Sequence, residues 1–232
     1  GANIVYVAIR RGGMRTPTAA SDVFDLDLSD SSSVPAFASN FPVDMAMLRD
    51  INGADTLQIG SRLQGTRRMS MSTSAQETNS YYKWDYQNGY FSSALNTNYF
   101  AWMWKRAKGY FDVVGYSGTG SARTVSHGLT VQPEMIWVKR RDSTRDWGTG
   151  FGSLGWTKRG PALNSNEQAY TVSTWWNDTA PTSSVFTVGS SATVNASSGT
   201  YIAYLFATVA GVSKVGSFTQ SGATNVACGF TG

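Results

Sequence analysis

The 232 residues, 41% of them hydrophobic, suffice to bury a core in one or two domains, and a single cysteine excludes a disulfide-stapled scaffold. Only 15% of the chain is charged while Gly supplies 24 residues, which sets aside long charged helices and coiled coils in favour of strands and turns. A net charge of +4 is too small an excess to name an acidic partner, and the longest apolar runs, IVYVAI and YIAYLFATVA, fall short of the about 20 residues that span a bilayer.

The chain opens on NIVYVAIRR (residues 3–11), which reads as a strand. Neither an initiator Met nor a signal pattern precedes it, so Gly1 is expected to lie inside a longer gene product. Asp22, Asp25, Asp27 and Asp30 follow, but they lack the Gly and Glu spacing of a calcium loop. Asp25 and Asp27 share one face of a strand, which suits a solvated sheet edge. In VPAFASNFPVDMAMLRD, Pro42 interrupts a possible helix, and Met45–Leu48 align with a later strand, so a strand is expected there too.

An internal repeat organises the rest. NIVYVAIRR matches NYFAWMWKR (98–106) and TYIAYLFAT (200–208), while a second register of 91 residues aligns Pro42 with Pro133, Arg49 with Arg140, Asp55 with Asp146, Leu63 with Leu154, Thr66-Arg67-Arg68 with Thr157-Lys158-Arg159, and Trp84 with Trp175. A third match pairs residues 115–129 with 216–230. In Tyr99–Trp104 both faces of a period-two pattern are bulky, predicting a strand buried on both sides; PEMIWVKRR, SVFTVG, ATVNA and FDVVGY predict further strands. The expected fold is all-β, built of tandem β-sandwich or jelly-roll-like modules of about 95–100 residues. Residues 1–39 would hold the end of a preceding module plus a connector, 40–108 the first module, 109–130 a connector with short strands, 131–211 the second module, and 212–232 a connector toward a further one.

Candidate chemistry is thin. His127, the only histidine, lies at a strand-to-turn junction, and its position in the matching copy holds Cys228, so both read as packing residues, the thiol as a small buried one. Glu77, Glu134 and Glu167 are the only glutamates for a paired-carboxylate site. The basic groups Arg10-Arg11, Arg67-Arg68, Lys105-Arg106, Lys139-Arg140-Arg141 and Lys158-Arg159 suggest nucleic-acid contacts one by one, but Arg10-Arg11 matches Lys105-Arg106 and Arg67-Arg68 matches Lys158-Arg159, so they sit at fixed strand ends and form no nucleic-acid stripe. Neither catalytic residue, nor metal, nor cofactor, nor membrane insertion is expected. Aromatics make up 13% of the chain. Trp102, Trp104 and Trp137 sit in apolar strands, whereas Trp147, Trp156, Trp175 and Trp176 stand among Asp, Asn, Gly and Thr, and Tyr81, Tyr82, Trp84 and Tyr86 form a comparable cluster. Rings in such settings either stack on sugars or pack between modules or subunits.

SHGLTVQPEMIWVKRRDSTRDW, WWNDTAPTSSVFTVG and GTYIAYLFATVAGVSKVGSFTQSG together resemble the repeated domain of structural proteins of tailed bacteriophages, notably tail-fibre-like proteins of marine phages. The resemblance covers residues 98–232; the first module matches more weakly, with Thr56 where the second has Trp147. It implies a virion location, with other virion proteins and copies of the same chain as partners, trimers among them, and it supplies no catalytic residues. The expected function is a tail-fibre or adhesin segment that touches a host-surface glycan through many weak contacts. Its rival is a purely architectural virion protein in which the aromatics are buried at interfaces, and a polysaccharide depolymerase stands further off.

Overall fold

The computed structural model describes residues 14–30, 33–53, 56–92, 98–219, 222–223 and 225–229. NIVYVAIRR, Arg10-Arg11 and Asp55 therefore lie outside the described residues. The fold is all-β. In the first unit, β1 (Phe24–Leu28), β2 (Phe37–Ala38), β3 (Met45–Asp50), β4 (Gln58–Ser61), β5 (Arg67–Ser70), β6 (Thr78–Asn79), β7 (Gly89–Tyr90) and β8 (Tyr99–Trp104) build an antiparallel sheet of order β1-β8-β3-β4-β5-β6, with β2 and β7 paired separately. The second unit contains β9 (Phe111–Ser117), β10 (Arg123–Ser126), β11 (Met135–Arg140), β12 (Gly148–Phe151), β13 (Lys158–Arg159), β14 (Tyr170–Thr171), α1 (Ser173–Trp176), β15 (Val185–Val188), α2 (Ala192–Asn195) and β16 (Thr200–Phe206). Its main sheet has the order β12-β11-β16-β9, with β10-β15 and β13-β14 as separate ribbons.

The two units share one strand order, β4-β3-β8-β1 in the first and β12-β11-β16-β9 in the second, and one register: Met45 faces Trp104 as Met135 faces Phe206. Phe24 also faces Trp104 as Phe111 faces Phe206, so Phe24-Asp25-Leu26 corresponds to Phe111-Asp112-Val113. Segments 1–39, expected to hold the end of a preceding module plus a connector, and 109–130, expected as a connector with short strands, supply β1, β2, β9 and β10, and limits at 40 and 131 cut these strands from the sheets they complete. The repeat register also shifts. Arg49 faces Phe100 as Lys139 faces Ile202, which equates Arg49 with Lys139 and not with Arg140. A register of 91 holds at Thr66 and Thr157, whose carbonyls accept from Ser80 and Val172, and it becomes 92 at β6 and β14, where Asn79 faces Arg67 as Thr171 faces Lys158. One residue matters because it moves a side chain to the opposite face of the sheet.

Three apolar cores follow from the alternation. Ala46, Leu48, Ala101 and Met103 point outward from the first sheet onto Phe37, Phe41, Tyr82, Trp84 and Tyr90. Ile136, Val138, Tyr201, Ala203 and Leu205 point outward from the second onto Phe186, Val194, Trp156, Trp175 and Trp176. Between the sheets Met45, Ile59, Met69 and Met71 meet Phe111, Val113, Ile202, Tyr204 and Phe206. β16 is thereby buried on both faces, whereas β8, expected to be so, buries Ala101 and Met103 but leaves Phe100, Trp102 and Trp104 half-covered. ATVNA, expected as a strand, forms α2, whose N-terminal Ser191 Oγ accepts from Thr193 N. Among the described residues after 215 no strand forms, and Cys228 is exposed there, contrary to the buried thiol expected. The thiol has no sheet to bury it.

Candidate functional site

The six aromatics expected to offer a binding surface are all inside the protein, none more than 7% exposed. Glycine explains how rings flanked by polar residues become core. Gly60 on β4 and Gly150 on β12 occupy the same position of their units, and a Cβ there would stand 2.5 Å from the Tyr82 ring in one case and 2.5 Å from Trp156 in the other. The bare backbone is the surface on which each ring lies. Trp84 stacks on Tyr90 with centroids 5.2 Å apart, and its Nε1 donates to Gly65 O at 2.8 Å. Trp156 and Trp176 meet edge to face at 5.7 Å, and the Arg159 guanidinium stands 5.1 Å from the Trp175 ring. Local polarity along the chain misreads these rings, because a loop folded back over its own sheet buries them.

Trp147 alone among the six lies between the units. It touches Tyr204, with centroids 6.2 Å apart, and donates from Nε1 to Ser70 O of the first unit at 2.9 Å. A polar network surrounds it. Gln64 Nε2 donates to Glu77 Oε1 at 2.8 Å, and Tyr204 OH donates to Gln64 Oε1 at 2.9 Å. Arg141 holds Glu77 in a two-pronged pair at 3.0 Å each, and Arg67 approaches the same carboxylate at 3.4 Å. Lys139, fully buried, reaches across from β11 and donates from Nζ to Ser74 O at 2.9 Å and to Arg145 O at 2.5 Å. Burial lowers its pKa to about 8, against a weaker opposing pull from Asp146. Where β8 hands over to β9, Arg106 ties the units again, its N donating to Asp44 Oδ2 and its Nε to Asp112 Oδ1.

Glu77 of the first unit is buried and held by Arg141 of the second, and Lys139 and Trp147 of the second donate to carbonyls of the first, so this joint ties the units to each other. Sequence reasoning listed Glu77 only as a possible hydrolytic carboxylate, weighed Lys139 only within the basic run Lys139-Arg140-Arg141, and passed over Gln64. Lys139 carried a signal, a cation on the same strand face as the apolar Met135 and Trp137. Gln64 carried none.

Other candidate chemistry is committed to local structure. Asp112, fully buried, accepts from Arg106 Nε, Val113 N and Gly128 N, while His127 Nδ1 accepts from Leu129 N and burial depresses the imidazole's pKa. Glu134 accepts from Thr208 Oγ1, and Glu167 pairs with Arg159. Asp22, Asp25 and Asp27 accept from backbone amides of their own segments, Asp27 also from Ala38 N, and β1 does lie at a sheet edge. Among the described residues no three His, Cys, Asp or Glu side chains are placed to hold a metal ion, and no helix is long and apolar enough to cross a membrane.

A family described as a domain of unknown function (DUF7483) matches residues 60–232. No curated protein and no solved structure matches the chain.

Proposed function

The chain belongs to the DUF7483 family, and because that membership names no activity, we propose from the joint that it is an architectural segment: two β units locked into one stiff body. The observation that carries this reading is the burial of Trp147, Lys139 and Glu77 between the units, a use of aromatic and charged side chains that holds sheets together and leaves none of them free for a ligand. The location proposed with it is a bacteriophage virion, with other virion proteins and further copies of the chain as neighbours; the support for that location is the sequence resemblance. An adhesin built on Tyr82, Trp84, Trp147, Trp156, Trp175 and Trp176 would need at least one open face among them, and these six rings are enclosed; of the clustered aromatics Tyr81 is the one that stands exposed.

Mass spectrometry and antibody labelling of purified particles test the location. Stoichiometric chain in the particle is the expected result, and its absence from particles overturns the virion placement. Saturable binding of the isolated chain to host cells, competed by a surface glycan, would restore the adhesin reading over the architectural one.

A further inference from the structure

The inner face of the first sheet is only partly covered. Across the β1–β8 ladder Leu26 faces Trp102 and Leu28 faces Phe100, so the four side chains stand together on that face, and Met47 on β3 extends the row past Trp102. Leu26 and Leu28 are 48% and 45% exposed, and the Phe100 and Trp102 rings, 5.2 Å apart, are half-buried. Met47 also packs against the core between the units, so the patch is continuous with an interface the protein already uses. Exposed apolar surface of this kind marks a contact.

The repeat identifies the contact. By the shared register, Leu26, Phe100 and Trp102 correspond to Val113, Ile202 and Tyr204 in the second unit. Those three are at most 2% exposed, because Met45, Ile59, Met69 and Met71 of the unit ahead of them in the chain cover that face. The rim corresponds as well: Arg49 stands exposed where Lys139 donates to the Ser74 carbonyl of the preceding unit. Residues 3–11, which precede the first unit, repeat the sequence of the closing strands β8 and β16.

We infer that Leu26, Leu28, Phe100 and Trp102 seat a further β unit of this family, placed ahead of the first unit in the same polypeptide, with Arg49 donating to its backbone carbonyls. The inference rests on the architectural reading of the tandem units. It does not depend on the virion location.

The test uses Leu28→Cys in a Cys228→Ser background, with Leu26→Cys as a second reporter, each checked for an unchanged thermal unfolding midpoint. Maleimide modification is timed in the 232-residue chain and in the complete product of its gene. The expected result is fast modification in the chain at every protein concentration and modification at least tenfold slower in the complete product. Equal rates in the two overturn the proposal, as does a gene that encodes no such unit before Gly1. Modification of the 232-residue chain that slows as its concentration rises makes a second copy the occupant and overturns it too. A protected thiol in a protein absent from particles would remove the virion location and leave the docking surface standing.

Discussion

Lys139 is the side chain whose surroundings most change its chemistry. Burial lowers its folded-state pKa to about 8 from the ordinary 10.5, so the unfolded chain binds the proton more tightly. Between pH 8 and 10.5 the unfolded state therefore holds more protons, and the contribution of this group makes stability rise with pH across that window and stay level below it. The stability of the wild type relative to Lys139→Met, from urea unfolding, is expected to increase from pH 8 to pH 10; a flat difference would mean that the ammonium is not desolvated. Above pH 10 buried tyrosines act in the opposite sense, since burial raises the pKa values of Tyr110 and Tyr204 and the unfolded chain ionises first. At Gly150 the argument is steric. A methyl group there meets Trp156 and Trp176 at less than van der Waals distance, so Gly150→Ala is expected to cost about 1–3 kcal/mol by overpacking. Denaturant midpoints measure it, and an unchanged midpoint would show that the rings move freely aside.

At the scale of elements, β16 was legible because its apolar run has no polar phase, and Tyr201, Ala203 and Leu205 do face one core while Ile202, Tyr204 and Phe206 face another. The kinship of β1 and β9 was not. FDLDL and FDVVG share only Phe, Asp and an apolar third residue, and the half-buried Asp27 stands where β9 has Val114, so the common register emerges only from pairing to β8 and β16. α2 failed for a different reason. Thr193 and Val194 favour strand by propensity, yet the buried Asn195 overrides them: its Nδ2 donates to Ser121 O and Gly189 O and its Oδ1 accepts from Thr119 N. Each buried partner left unsatisfied costs about 1–3 kcal/mol, so Asn195→Ala is expected to lower stability by about 3 kcal/mol or more. Hydrogen exchange should show the loss first at the amides of Thr119 and its neighbours; exchange unchanged there would remove Asn195 as the anchor.

For the whole molecule, the repeat revealed two units and their common fold class, but the joint between them lay beyond sequence reasoning. Its members, Gln64, Glu77, Lys139 and Trp147, lie up to 83 residues apart and conform to no spacing rule, since they meet only after both sheets exist. The joint predicts cooperative behaviour. Calorimetry of the wild type is expected to give one unfolding transition, and Trp147→Ala, which removes a fully buried ring and its bond to Ser70, is expected to cost roughly 3–5 kcal/mol and to separate the units into two transitions. Two transitions already present in the wild type would mean that the joint does not couple them. Glu77→Gln keeps the shape but loses the charge that Arg141 and Arg67 face, so a smaller shift in the same direction is expected.

The glycines beneath the rings have a consequence for how the two copies can drift apart. At Gly60 and Gly150 the backbone is pressed by Tyr82 in one copy and by Trp156 and Trp176 in the other, so the seat is the same while the occupants differ. The order of mutational steps is thereby constrained. A ring can be exchanged for another ring at once, as the two copies illustrate, but the glycine can change only after a smaller side chain has replaced the ring above it. Descendants of the repeat should therefore vary freely in which aromatic they carry and change the glycine last.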